Sequence, residues 1–208
     1  MKLPLFLVLF LSFSAFARDW ESVYIPGAKC GDGIPYKVFV KPGKKSKLAI
    51  ELMGGGACWS LTTCWGPNFH TWIHPIPELP AFSYLSTDES PIKDHTFIYF
   101  PYCNGDVHAG NHDADYLPFV GKTYHHGYRN FIASMEYLSK SQKIQFRAAD
   151  SLVLWGSSAG ALGSLIHKKR IESYLKPGIK KVLIADSPGL HYANDFWKKF
   201  TPELIHDF

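Results

Sequence analysis

Residues 151–163 read Ser-Leu-Val-Leu-Trp-Gly-Ser-Ser-Ala-Gly-Ala-Leu-Gly, and this stretch decides the fold. The four apolar side chains in a row at Leu152–Trp155 are typical of a parallel strand that is buried on both faces. A Gly-x-Ser-x-Gly turn follows, in which Gly156 and Gly160 flank Ser158 and let a strand and a helix approach closely. The stretch therefore predicts a strand, a nucleophile elbow centred on Ser158, and a helix.

A purely structural turn rich in glycine and serine is the alternative to an elbow. The buried strand before the turn and the helix after it favour the elbow. In that arrangement Ser158 lies at the positive end of the helix dipole, and the backbone N–H of Ala159 is free to stabilise an oxyanion. Ser158 is thus the candidate nucleophile, whereas Ser157 occupies a variable position of the motif.

A second glycine-rich segment, Gly54-Gly55-Gly56, directly follows the apolar run Leu48–Met53. Three glycines after a buried strand let the backbone fold back with its N–H groups pointing into a cavity, as in the oxyanion loop of many serine esterases. A plain turn and a phosphate-binding loop are the alternatives, although no Lys-Ser or Lys-Thr pair follows these glycines as a nucleotide loop requires. The backbone N–H groups of Gly55 and Gly56 are the candidate donors, and Gly54 is a structural member of the loop.

Strands and helices alternate along the rest of the chain. The prolines and aromatic residues between positions 66 and 91 predict an irregular excursion that forms a lid or a pocket wall. The further strands are predicted at Tyr36–Val40, Leu48–Met53, Thr96–Phe100 and Lys181–Asp186, and a helix is predicted at Gly127–Lys140. This order predicts the α/β class, with a mainly parallel sheet and helices on both faces.

The amino terminus has the three parts of a secretory signal peptide. Lys2 is followed by an apolar core and by Ala15-Phe16-Ala17, a small-x-small cleavage site. We therefore expect residues 1–17 to be a signal peptide that is cleaved after Ala17, and residues 18–208 to form a single domain. No other stretch is long and apolar enough to span a membrane, so the mature protein is expected to be secreted or periplasmic.

The composition narrows the classes of partner. The formal net charge of +4 is small and scattered over short lysine and arginine groups, which argues against nucleic-acid binding. The aromatic content of 15% suits a pocket or groove that holds a sugar or an acyl chain.

All four cysteines, Cys30, Cys58, Cys64 and Cys103, lie in the first half of the chain. An even number in an exported chain predicts two disulfides, and the absence of a Cys-x-x-Cys spacing argues against a metal site. Three connectivities are possible. We expect Cys30 to pair with Cys58 and Cys64 with Cys103, because these bonds would tether loops at the ends of neighbouring strands.

Histidines and aspartates between positions 108 and 126 suggest an alternative chemistry, because such side chains can bind a metal ion. The residues are His108, His112, Asp113, Asp115, His125 and His126. No pair has the His-x-x-x-His spacing on a predicted helix, so roles in a loop or in substrate contacts are favoured and no metal or cofactor is predicted.

Three separated stretches carry a family resemblance. They are residues 52–58, Leu-Met-Gly-Gly-Gly-Ala-Cys, with Cys64 shortly after; residues 101–106, Pro-Tyr-Cys-Asn-Gly-Asp; and residues 156–160, Gly-Ser-Ser-Ala-Gly. Together with residues 30–33 and 185–187 they resemble the pectinacetylesterase family, which includes the Notum-like serine carboxylesterases. The resemblance implies an α/β-hydrolase fold, a Ser, Asp, His triad and hydrolysis of oxygen esters.

Within this resemblance Ser158 matches the nucleophile, and Gly55, Gly56 and Ala159 match the backbone donors of the oxyanion hole. Asp106 and Asp186 match positions of the family motifs that are structural. The family usually has an aromatic residue where Gly56 or Ala57 stands, which predicts a wider pocket mouth here. The expected substrate is an O-acyl ester, most simply an O-acetyl group on a polysaccharide, and the protein is expected to be a monomer.

The triad of an α/β-hydrolase needs an acid and a histidine after successive later strands. Only one strand is predicted after Ser158, and the residues His191, His206, Asp195 and Asp207 follow it too closely to belong to two more. We therefore expect a chain that is incomplete or shortened at its carboxyl end and that is a poor esterase by itself, with His191 and Asp186 as the remaining candidate pair. A catalytically silent carbohydrate-binding or interaction module and a metal-dependent hydrolase are the rival hypotheses.

Overall fold

The computed structural model describes residues 20–66, 85, 87, 89–116, 121–189, 194, 195 and 198. The predicted signal peptide and most of the predicted lid lie outside the described residues. The elements, in chain order, are β1 (Glu21–Lys29), β2 (Pro35–Lys41), β3 (Lys44–Leu52), α1 (Leu61–Trp65), β4 (His95–Phe100), β5 (His112–Ala114), β6 (Thr123–His125), α2 (Gly127–Lys140), a 3₁₀ turn (Phe146–Ala148), β7 (Ser151–Ser157), α3 (Ala159–Tyr174) and β8 (Lys180–Asp186).

Six of the strands form one sheet in the order β1-β2-β4-β3-β7-β8. The pairs β1·β2 and β2·β4 are antiparallel, whereas β4, β3, β7 and β8 run parallel to one another. The predicted α/β class and mainly parallel sheet are therefore confirmed. In the register of β3 with β7, Leu52 lies opposite Gly156, so the glycine loop and the elbow leave the same edge of the sheet.

The main hydrophobic core lies between the sheet and the helices α2 and α3. Alternate residues of β4, Ile98 and Phe100, point into it, and α2 contributes Phe131, Met135 and Leu138. The two helices contact each other where the ring of Phe131 stacks on that of His167 in α3, with ring centroids 3.8 Å apart. Both long described helices thus cover one face of the sheet, and the helical layer expected on the other face stays a prediction.

Some elements were not anticipated from the sequence. β1 mixes exposed and buried side chains irregularly, and its pairing with β2 contains a register shift between Tyr24 and Lys29. The histidine-rich region forms a small antiparallel pair in which His112 of β5 lies opposite His125 of β6. None of the helices in the described part of the chain has the length and apolar character that crossing a lipid bilayer requires.

The cysteines form two disulfides as predicted, but the expected pairing is wrong. The bonds join Cys30 to Cys103 and Cys58 to Cys64. β1 and β4 flank β2 and run in the same direction, so the segments that follow them meet at one edge of the sheet. The backbone N–H of Gly31 donates to the carbonyl of Cys103 there, at 2.6 Å.

The second pair is local. Ser60 caps α1 by accepting from the backbone N–H of Thr63, while the Thr63 hydroxyl accepts from the backbone N–H of Ser60. This reciprocal cap starts a short helix that turns the chain back on itself, so that Cys64 reaches Cys58.

Candidate active site

Ser158 lies at the sharp junction between β7 and α3. Its backbone has φ +51° and ψ −119°, a conformation that is costly for a residue with a side chain. The conformation is held by its neighbours: the N–H of Ser158 donates to the carbonyl of Asp186 at 2.8 Å, and its own carbonyl accepts from Ala161 at 3.0 Å. The side chain is exposed at the edge of the sheet. The strand, strained turn and helix thus present a serine hydroxyl to solvent.

Glycines around Ser158 are packed so tightly that no side chain fits. A Cβ on Gly156 would lie 2.1 Å from the carbonyl oxygen of Gly160, and a Cβ on Gly160 would lie 2.0 Å from that of Leu52. A Cβ on Gly54 would lie 2.5 Å from the carbonyl oxygen of Ser157. The turn is therefore pressed against both the end of β3 and the glycine loop, which explains structurally why these positions are glycine.

The glycine loop, residues Gly54–Gly56, is half-buried beside the elbow. It begins where the N–H of Met53 still donates to the carbonyl of Phe100, at 3.0 Å, and Gly56 has φ +77°. The backbone N–H groups of Gly55, Gly56 and Ala159 donate to no acceptor within the described residues. The structure thus places the glycine loop against the elbow, where Gly54 packs on Ser157 and Ser158, and leaves three N–H groups without an acceptor among the described residues.

The hydroxyl of Ser158 has no hydrogen-bond partner among the described residues. The carboxylate of Asp186 is exposed and accepts from the hydroxyl of Ser187 at 3.0 Å, and Asp195 pairs with Lys198 at 2.9 Å. His191, which was paired with Asp186 as a candidate, lies outside the described residues, as do His206 and Asp207.

Two of the histidines suggested as metal ligands, His125 and His126, use ring nitrogens in contacts with neighbouring residues. Nδ1 of His125 donates to the carbonyl of Asn104 at 2.8 Å, and its Nε2 accepts from the hydroxyl of Tyr116 at 2.6 Å. Nε2 of His126 contacts the carboxylate of Asp113 at 2.6 Å. Burial, followed by the charge of His112, lowers the pKa of His125 to about 4, so its imidazole is neutral.

Potential ligand atoms of Cys58, Cys64 and His125 lie within 4.8 Å of one another. The two sulfur atoms form a disulfide, however, and a metal ion binds the thiolate rather than the disulfide form of cysteine. The hairpin of β5 and β6 is instead attached to α1 by a hydrogen bond, in which the indole N–H of Trp65 donates to the hydroxyl of Thr123 at 2.8 Å.

Asp106 is completely buried at the amino end of α2. Its carboxylate accepts from the N–H of Gly127 at 2.5 Å and from that of His108 at 3.1 Å. A Cβ on Gly127 or on Gly110 would lie within 2.5 Å of this carboxylate, so the carboxylate packs directly against the backbone of both glycines. Burial raises the pKa of Asp106 to about 6, against the backbone hydrogen bonds that lower it.

The sequence did not predict that two buried side chains hydrogen-bond to backbone carbonyls at the two ends of the glycine loop. The hydroxyl of Tyr102 donates to the carbonyl of Gly56 at 2.8 Å, and Nε2 of His108 donates to that of Met53 at 2.8 Å. Both residues belong to the segment that follows β4. Their position in the sequence, on either side of Asp106 and within or next to the motif at residues 101–106, is the local signal that could have indicated a role at the site.

A mainly parallel sheet with a strained serine turn after β7 and a glycine loop after β3 defines an α/β-hydrolase fold. The chain belongs to the pectinacetylesterase family, whose model, described as "Pectinacetylesterase", matches residues 21–196.

Curated and solved relatives agree with this assignment. Palmitoleoyl-protein carboxylesterase Notum of Schmidtea mediterranea is 26% identical over 164 residues, which are 74% of this chain and 30% of the relative. The two crystal forms of the Wnt deacylase Notum from Drosophila superpose with TM-scores of 0.56 and 0.63, at 19% and 18% identity. The aligned regions cover 79% and 81% of this chain and 50% and 53% of theirs, so the chain spans about half the length of these solved relatives.

Proposed function

We propose that the protein is a serine carboxylesterase in which Ser158 is the nucleophile. The observation that carries the proposal is the exposed Ser158 on a strained elbow packed against the glycine loop, where the N–H groups of Gly55, Gly56 and Ala159 have no acceptor among the described residues. An exposed oxygen and N–H donors without partners are the two parts that acyl transfer needs from the protein at the reacting carbonyl. A purely structural turn would not require a serine at φ +51°.

In the proposed reaction the Oγ of Ser158 attacks the acyl carbon, and its proton passes to a general base. The carbonyl oxygen becomes an oxyanion that accepts from the N–H groups of Gly55, Gly56 and Ala159. The bond to the alcohol then breaks, the alcohol leaves with a proton, and water releases the acid from the acyl-enzyme in a second, similar step. We expect the base to be a histidine oriented by a carboxylate, as in other Ser, Asp, His triads.

The proposed substrate is an O-acyl ester outside the cytoplasm, most simply an O-acetyl group on a polysaccharide. The family name and the expected signal peptide support this choice, and two disulfides suit an oxidising compartment. The relatives act, by their names, on palmitoleoyl-protein and on Wnt, so a longer acyl chain is the alternative. Hydrolysis of p-nitrophenyl esters from acetate to decanoate separates the two.

Two neighbouring serines give a matched pair of variants for the test. In a protein that includes the general base, Ser158→Ala should lower ester hydrolysis by at least about 10³-fold, because the members of a catalytic serine site act as a unit. Ser157→Ala, which removes the adjacent hydroxyl, should leave the rate within about two-fold. The assay is release of p-nitrophenol, followed by release of acetate from an acetylated polysaccharide.

The reverse pattern, with a large loss for Ser157→Ala only, would refute the assignment of the nucleophile. Equal and undiminished rates in both variants would refute a serine mechanism altogether. A folded, two-disulfide protein that includes the general base and shows no hydrolysis that depends on Ser158 would favour the silent binding module instead.

A further inference from the structure

Two buried polar side chains of the segment after β4 hydrogen-bond to backbone carbonyls at the start and the end of the glycine loop Gly54–Gly56. We propose that Tyr102 and His108 are positioning residues, which orient the peptide N–H groups of the loop toward the bound ester carbonyl. The inference rests on the proposed esterase function and deepens it, because it assigns the orientation of the oxyanion donors to side chains outside the loop.

His108 fixes the beginning of the loop. Its side chain is buried, and its Nε2 lies 2.8 Å from the carbonyl oxygen of Met53. A carbonyl only accepts, so Nε2 carries the proton in this hydrogen bond. Burial lowers the pKa of His108 to about 4, and the imidazole is therefore neutral near pH 7. In a trans peptide the C=O and the following N–H point in opposite directions, so this bond also sets the N–H of Gly54.

Tyr102 fixes the end of the loop. Its hydroxyl accepts from the N–H of Val107 at 2.8 Å and lies 2.8 Å from the carbonyl oxygen of Gly56. An N–H only donates, so the single hydroxyl proton is directed to Gly56. Burial raises the pKa of Tyr102 well above its usual 10, which keeps that proton in place. The peptide plane between Gly56 and Ala57 is thereby set.

The two candidate donors of the loop lie between these fixed planes. The N–H groups of Gly55 and Gly56 belong to the two intervening peptides, and neither donates to another described residue. Glycine has the widest choice of backbone conformations, so nothing in the loop itself selects one orientation. Donors that are aligned before the reaction stabilise an oxyanion best, because no reorganisation is needed when charge develops.

The two positioning residues form one packed unit. Their rings lie with centroids 4.9 Å apart, and the backbone N–H of His108 donates to Asp106 at 3.1 Å. The carbonyl of His108 accepts from Nε2 of His167 in α3, at 2.7 Å. Tyr102 also shares an apolar cluster with Ala159, the residue that carries the third candidate donor. The unit thus links the glycine loop to the helix of the elbow.

The test compares two buried tyrosines by removal of one hydroxyl from each. Tyr102→Phe keeps the ring but releases the carbonyl of Gly56, so kcat should fall by about 10- to 100-fold while KM changes less than about two-fold. The affinity for a boronic acid that mimics the tetrahedral intermediate should fall in parallel with kcat. Tyr36→Phe is the matched control, because the Tyr36 hydroxyl donates at 3.1 Å to the carbonyl of Pro101 and not to the loop.

A second measurement does not depend on activity. In ¹⁵N relaxation of the native protein, the amide order parameters of Gly55 and Gly56 should fall in Tyr102→Phe and stay unchanged in Tyr36→Phe. Similar order parameters in the two variants would overturn the inference, as would equal losses of kcat. Full hydrolysis by Ser158→Ala would instead refute the proposed function, while the order parameters would still decide the inference.

His108 offers an independent check by a conservative replacement. His108→Gln provides an amide N–H that can reach the carbonyl of Met53, whereas His108→Ala provides no donor. Glutamine should therefore retain most of the kcat and of the loop order that alanine loses. Equal order parameters and equal kcat in these two variants would overturn the role assigned to His108.

Discussion

His108, His125 and His167 are buried as neutral imidazoles, and each donates to a backbone carbonyl. Burial lowers the pKa of each of the three to about 4, from an ordinary value of 6.5. The unfolded chain therefore binds protons first as the pH falls. The stability that the neutral imidazoles contribute is present above pH 6.5 and is lost between pH 6.5 and 4.

Asp106 has the opposite effect on the pH dependence of stability. Burial raises its pKa to about 6 from an ordinary 3.8, so the folded state binds this proton before the unfolded chain does, and stability is gained as the pH falls through this window. Among these four groups, three histidines against one aspartate leave a net uptake of about two protons on unfolding near pH 5. This corresponds to roughly 2–3 kcal/mol per pH unit, and to about 5 kcal/mol between pH 7 and 4.5. The loss is comparable with the whole stability of a typical domain, about 5–15 kcal/mol.

Urea unfolding followed by tryptophan fluorescence at a series of pH values measures this slope. His167→Gln keeps an N–H donor for the carbonyl of His108 but does not titrate, so the net uptake should fall from about two protons to about one. Met135→Ala, at a buried apolar position, should lower the curve at every pH without a change of slope. A free energy of unfolding that is flat from pH 7 to 5, or a slope unchanged in His167→Gln, would refute the reasoning.

Two further predictions concern stability. Gly160→Ala should destabilise the protein by about 2–4 kcal/mol in urea unfolding, because its Cβ would lie 2.0 Å from the carbonyl oxygen of Leu52; a gain of about 1 kcal/mol, as at an open helix position, would contradict this packing. Serine at both Cys30 and Cys103 should cost about 4 kcal/mol, against about 2 kcal/mol for the same change in the other disulfide, because the sequence separations are 73 and 6 residues. Equal losses in the two double variants, measured at one pH, would argue against the loop-entropy explanation.

Features that depend on neighbouring residues could be predicted from the sequence. The apolar run before Gly156 predicted β7, and the small residues after Ser158 predicted α3, which begins at Ala159. The bounds of α2, Gly127–Lys140, also agree with the prediction. These elements were predictable because backbone conformation, apolar periodicity and the need for small residues at a sharp turn act within a few positions of the chain.

Features that depend on distant segments were decided by the tertiary structure. β2 lies between β1 and β4 and runs antiparallel to both, so the segments that follow β1 and β4 leave the same end of the sheet. This arrangement, rather than any spacing, pairs Cys30 with Cys103. The contacts of Tyr102 and His108 with the glycine loop likewise join residues about fifty positions apart. A local pattern does not specify them, because a buried hydrogen bond is chosen by whichever donor the packed fold brings to an otherwise unsatisfied carbonyl.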